Sequence, residues 1–211
     1  MSSKNIQLFI TLFFVSIFLG NSQIKKENIK LGLAFGTGTQ SSFPFNASDY
    51  THEVKFYKAV VNYKLKQKNK WNYEINIEPS FNVVKHQLKN KWFVKPEDYD
   101  NYLELRDLYT QERTLKEYVL NIGFITRYAL FENASMYALG SVGPMIGDIG
   151  TERLAKGFAF SDVFGLGTSY VVGKTQLDFR YSVRHTSNLQ MKIPNNGHNT
   201  TNIEFAVLLQ L

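Results

Sequence analysis

The sequence predicts an all-β protein, an eight-stranded antiparallel up-and-down transmembrane β-barrel. Three observations carry this. An apolar leader directs export, eight segments alternate apolar and polar residues, and the connections between them alternate long and short.

Residues 1–22 read as a signal peptide. Lys4 supplies the positive start, residues 6–19 are almost wholly apolar, and Gly20-Asn21-Ser22 places small residues at cleavage spacing before Gln23. The barrel domain is then 23–211. No later segment offers about 18 consecutive apolar residues, so no helix is expected to span a bilayer. The chain has no cysteine, which removes a thiol-linked lipid anchor, a disulfide framework and a thiolate metal site.

The strands follow in order. Residues 29–36 set Ile29, Leu31, Leu33 and Phe35 on one face against Lys30, Gly32, Ala34 and Gly36. A long polar loop leads to residues 54–65, with Tyr57, Ala59, Val61, Tyr63 and Leu65 outward. After a short turn, residues 71–83 oppose Trp71, Tyr73, Ile75 and Ile77 to Asn72, Glu74, Asn76 and Glu78. A long charged connection, 85–116, precedes residues 117–130, where Leu120, Ile122, Phe124 and Tyr128 share a face. A short turn then leads to 135–146, rich in small residues.

Residues 147–156 form another loop. Residues 158–170 place Phe158, Phe160, Phe164 and Leu166 on one side, and a tight turn joins them to 175–187. A loop over 188–200 contains Pro194-Asn195-Asn196-Gly197, and the last strand, 201–211, turns Ile203, Phe205, Val207 and Leu209 outward. Long connections suit the outer side of such a barrel and short ones the periplasmic side. Asp178, Arg180, Arg184 and Glu204 fall on the polar face and are expected to pair in the lumen.

Composition agrees with this. Aromatics are 15% of the chain, with 12 Tyr and 17 Phe, and mean hydropathy is −0.24, too polar for a helical membrane protein. The net charge of +6 favours anionic partners such as lipid phosphates. No basic stripe interleaves with stacking aromatics, so no nucleic-acid partner is expected.

One strand carries chemistry. Across 175–187, Leu177, Phe179, Tyr181 and Val183 are apolar and the even positions polar; His185 and Ser187 continue the apolar, odd face. A base and a hydroxyl two residues apart on a greasy strand face have no structural excuse. A serine hydroxyl needs an adjacent base to become a nucleophile. Asp162 lies on the outward face of the preceding strand. With the hairpin turning around Val172-Gly173, Asp162 pairs with Val183 and sits diagonal to His185, within reach as an orienting carboxylate. His198 reads as a loop residue, and the four histidines show no metal-binding spacing. Neither a metal nor a cofactor is expected. Lys85, Lys89, Lys91 and Lys95 read as a solvated loop that could also approach lipid phosphates.

His185-Thr186-Ser187-Asn188, then Pro194-Asn195-Asn196-Gly197, then a final strand, resembles the C-terminal signature of the outer-membrane lipid A 3-O-deacylases (PagL family). The resemblance covers about the last forty residues. It implies an eight-stranded barrel in the outer membrane of a Gram-negative bacterium, acting on lipid A of lipopolysaccharide from its outer wall. By resemblance, Ser187 is the nucleophile, His185 the base and Asn188 the oxyanion contributor. The family's orienting carboxylate falls at Asn199. That is a departure: an amide can orient a histidine but carries no charge to offset the imidazolium. Asn199 and Asp162 are both candidates for the third member.

The expected activity is that of a serine esterase removing an ester-linked 3-O hydroxyacyl chain. The alternatives are a non-catalytic structural or adhesion barrel of the same descent and, more remotely, a soluble periplasmic lipid-binding barrel. A homodimer is left open.

Overall fold

The computed structural model describes residues 25–211. The leader expected over 1–22 and the domain start at 23 lie outside the described residues. Eight strands appear in chain order: β1 (Ile29–Thr39), β2 (Tyr50–Lys68), β3 (Trp71–Leu88), β4 (Arg113–Ala129), β5 (Ala134–Gly147), β6 (Gly157–Val172), β7 (Thr175–Ser187) and β8 (His198–Gln210). A short helix, α1 (Tyr102–Thr110), lies in the β3–β4 connection. Each strand pairs antiparallel with its sequence neighbour, and β1 also pairs with β8, closing the barrel. Closure leaves no unpaired strand edge, which the hydrocarbon layer requires. Among the described residues no helix is long and apolar enough to cross a membrane.

Several strands run past their expected ends. β2 begins at Tyr50, β3 continues to Leu88, β4 begins at Arg113 and β8 begins at His198. The sequence signal is apolar alternation, and that signal stops where the outer face becomes charged. The ladder itself continues: Glu53 pairs with Lys85, and His52 with His86. Backbone hydrogen bonds do not need an apolar face, so the wall rises past the greasy band.

The β6–β7 hairpin corrects the expected register. Val172 pairs with Thr175, leaving Gly173-Lys174 as a two-residue turn. Gly173 has φ +60°, a left-handed conformation that a hairpin turn of this type requires and that glycine adopts without strain. The pairing therefore shifts by two. Asp162 lies directly opposite His185, not opposite Val183, and Phe160 lies opposite Ser187.

The outer wall exposes Leu33, Phe35, Leu120, Phe164, Leu166, Ile203 and Leu209, while the inner positions are polar. Trp71 packs on Tyr128 with ring centroids 4.8 Å apart near the short turns, an aromatic pair suited to a membrane interface. The lumen is a plug of compensated charges. Arg180 lies 2.8 Å from Glu78 and 3.1 Å from Glu204, and Lys58 lies 3.0 Å from Glu78. Arg127 is 2.8 Å from Glu74, and Arg184 is 2.8 Å from Glu117. Tyr137 stands between two of these pairs, 4.5 Å beneath Arg127, with its hydroxyl accepting from Arg180 at 3.2 Å. Gly167 makes that possible, because a side chain there would collide with the Tyr137 ring. The expected luminal pairing of Arg180, Arg184 and Glu204 is present. Asp178 lies 3.8 Å from Arg127.

Candidate active site

Register and parity build the site. Outward-facing residues directly opposite one another on adjacent strands form a row across the wall. One such row runs Val142 on β5, Asp162 on β6, His185 on β7 and Asn199 on β8. Ser187 follows on the same face, one outward position nearer the long-loop end. His185 and Asp162 are exposed, and Ser187 and Asn199 are half-buried.

His185 is held from one side. Its Nδ1 lies 2.7 Å from Oδ1 of Asn199. An amide oxygen only accepts, so the imidazole Nδ1 carries the proton and donates. The lone pair of the neutral ring is then on Nε2, the nitrogen left for a proton from elsewhere. Asp162, although directly opposite, makes neither a hydrogen bond nor an ion pair with His185 among the described residues. The Ser187 hydroxyl likewise has no hydrogen-bond partner among the described residues, so its proton is uncommitted.

The loop after β7 is stitched down. The Asn188 backbone N–H donates to Asn195 Oδ1 at 2.7 Å, and Asn188 Nδ2 donates to Lys192 O at 2.6 Å. Asn188 is buried, and its backbone N–H and side-chain amide nitrogen each donate inside the loop. Ala155 N–H donates to Pro194 O at 2.9 Å, and Gly197 N–H to Arg153 O at 3.0 Å, fastening this loop to the β5–β6 connection. Gly197 has φ +68°, and a side chain there would collide with the Thr186 carbonyl beside the His185 ring. Leu189, Met191 and Ile193 project from the loop, exposed and apolar, as suits a rim that dips into lipid.

An apolar groove runs along the wall beside this row. Ile122, Val142, Phe164, Val183 and Phe45 line it, and it takes in Asp162, His185 and Asn199. Its depth comes from Gly140, which stands in register between Phe124 and Phe164 with open space where a Cβ would be. Phe45 reaches the groove from the β1–β2 loop, which is pinned to the outer wall: Tyr181 and Thr201 hydroxyls both donate to Phe43 O at 2.8 Å. The sequence reading missed this loop contact, because no local pattern links a loop to a strand so distant in the chain.

The lysines of the β3–β4 region are solvated. Lys85 pairs with Glu112 at 3.1 Å, and Lys95 lies 3.9 Å from Glu97. His198 corrects the expectation of a loop residue. It is the first residue of β8, opposite Thr186, and points into the lumen beside His52 and His86. Its signal was parity: all three histidines occupy even, inward positions at the long-loop end. Their separation along the chain hid the cluster.

A closed eight-stranded barrel with a charged lumen, a greasy wall and a His–Asn pair set into that wall defines a small outer-membrane barrel with a lipid-facing polar site. The chain belongs to the family described as lipid A 3-O-deacylase (PagL), which it matches over residues 27–207. This places it in the outer membrane of a Gram-negative bacterium. No curated protein matches it by sequence at a significant level. Its fold is similar to the crystal structure of the outer-membrane enzyme PagL, with TM-score 0.54 at 12% identity, covering 84% of this chain and 97% of that one. It is comparably similar to the neisserial surface protein A, with TM-score 0.53 at 11% identity, covering 87% and 97%.

Proposed function

We propose that this barrel is a serine esterase that removes an ester-linked 3-O hydroxyacyl chain from lipid A. The observation that carries the reading is the His185–Asn199 hydrogen bond on the lipid face, with Ser187 on the same face. A polar row in a lipid-facing wall costs solvation energy and is accounted for by chemistry on a lipid.

The acyl chain lies in the groove, over Gly140 and between Phe124 and Phe164. Ser187 Oγ attacks the ester carbonyl as its proton passes to His185 Nε2. Asn199 holds Nδ1 as the donor, which leaves the Nε2 lone pair free for the serine proton. The tetrahedral intermediate collapses and the C–O bond to the sugar breaks. His185 returns the proton to the departing sugar hydroxyl, leaving an acyl-enzyme. Water, deprotonated by the same nitrogen, then frees Ser187 and releases the hydroxy fatty acid. Backbone amides of the loop after β7 receive the oxyanion. Asn188 joins them by exchanging its Lys192 contact for the substrate oxygen.

One observation favours a second reading, a non-catalytic barrel of the same family: the amide at Asn199 leaves the imidazolium uncompensated. Mass spectrometry of lipid A from cells expressing the wild type, Ser187→Ala or neither separates the two. Loss of one hydroxyacyl mass in the wild type alone supports the esterase. Identical lipid A in all three leaves the non-catalytic barrel.

A further inference from the structure

Three of the four histidines take no part in the outer row. His52, His86 and His198 are 1%, 1% and 3% exposed and meet inside the barrel at its long-loop end. One ring nitrogen from each lies within 4.8 Å of those of the other two. We propose that these imidazoles form a binding site for a divalent transition cation of the Zn²⁺ type, clasping β2, β3 and β8 together at the mouth of the lumen.

The geometry points to this in four ways. His52 and His86 are opposite partners in the ladder, with their Nδ1 atoms 3.1 Å apart. Two imidazoles bound tetrahedrally at about 2.0–2.1 Å stand roughly 3.3 Å apart, close to this spacing. Behind His86, the buried Glu152 carboxylate accepts from Nε2 at 2.8 Å. That contact fixes the tautomer with the Nδ1 lone pair turned toward the cluster, the carboxylate–histidine arrangement that supports bound metals. Behind His198, Thr151 Oγ1 lies 3.1 Å from Nε2, while His198 Nδ1 is buried with no partner. Buried polar atoms are nearly always satisfied, and a cation would satisfy this one.

The donor set fixes the class of ion. Three neutral nitrogens and no cysteine suit zinc, copper or nickel rather than calcium or magnesium, which take oxygen. The His52 and His198 rings are stacked 4.1 Å apart at 15°, and a metal bond lies in the ring plane. One ring must therefore turn. Either ring can turn, since a single hydroxyl holds His198 from behind and the His52 ring has only its contact with His86.

His198 precedes Asn199 in β8, so a bound cation also braces the strand that supports His185. The site itself faces inward and stands whether or not the outer row is catalytic.

The test uses the full mature chain folded in detergent, stripped by chelator and titrated with Zn²⁺ alone by calorimetry. The wild type binds one cation per chain, and its unfolding midpoint on unheated gels rises. His198→Asn weakens binding by at least about 100-fold, and Glu152→Gln by about 10- to 100-fold. His185→Ala, which removes the remaining histidine, leaves it intact. No binding by the wild type, equal binding by His198→Asn, or loss in His185→Ala overturns the proposal. Should the lumen variants not fold, Co²⁺ on the wild type decides. Intense visible bands of a tetrahedral nitrogen-ligated ion support the site, and the weak spectrum of hydrated Co²⁺ rejects it.

Discussion

His185 Nδ1 donates to Asn199 Oδ1 at 2.7 Å across the β7–β8 ladder, and this bond decides which ring nitrogen can act as a base. With Nδ1 committed as donor, the proton of a nucleophile can go only to Nε2. Ser187 is the hydroxyl on the same face. Ser187→Ala and His185→Ala should each lower deacylation of purified lipid A by about 10³-fold or more. Neither side chain fills a core, so both variants should still migrate as folded barrels when unheated. Full activity in either would remove this row from the chemistry.

In the proposed reaction Asn199 orients His185 without charge. A neutral hydrogen bond contributes about 0.5–1.5 kcal/mol, so Asn199→Ala should cost up to about tenfold in kcat, less than losing Ser187. Asn199→Asp, of the same length, and Asn199→Glu should raise kcat by on the order of tenfold, since a carboxylate stabilises the imidazolium. Asp162→Asn should change kcat by no more than about twofold, because Asp162 faces His185 without bonding to it. Steady-state kinetics on the set checks this. Loss of turnover in Asp162→Asn alone would transfer the orienting role to β6.

Gly140 leaves the groove open between Phe124 and Phe164. Gly140→Leu meets no backbone obstacle and should fold, but its side chain occupies the groove. Activity on long hydroxyacyl esters should fall by about tenfold or more, while short-chain esters keep theirs, the loss being about 1.4 kcal/mol of chain binding. An equal loss on both chain lengths would show that the acyl chain lies elsewhere.

The luminal cluster of Lys58, Arg180, Glu78 and Glu204 balances two positive against two negative charges. Glu78→Leu leaves a buried positive charge uncompensated and should cost about 3–5 kcal/mol of stability. Urea unfolding in lipid vesicles checks this, and an unchanged midpoint would mean that water reaches the pair.

Much of this was legible in sequence because strand parity is local. β7 appears with the bounds its alternation gives, and His185, Ser187, Asp162 and Asn199 all face outward as their odd or even positions require. The ends of β2, β3 and β8 were not legible, since apolar alternation stops at the edge of lipid while the ladder continues. The shift of Asp162 from diagonal to directly opposite His185 came from the turn falling at Gly173-Lys174 and not at Val172-Gly173, since moving a turn by one residue moves the pairing by two.

The sequence by itself determined the closed barrel, the polarity of its two faces and the presence of a histidine and a serine where lipid should be. Each follows from a period of two read along one strand. Only the tertiary structure decided that Asn199 and not Asp162 holds His185, that Phe45 reaches the groove, and that His52, His86 and His198 meet in the lumen. Those facts depend on register and closure between segments far apart in the chain. A residue's parity says which face it takes, and only the closed ladder says which neighbours it finds there.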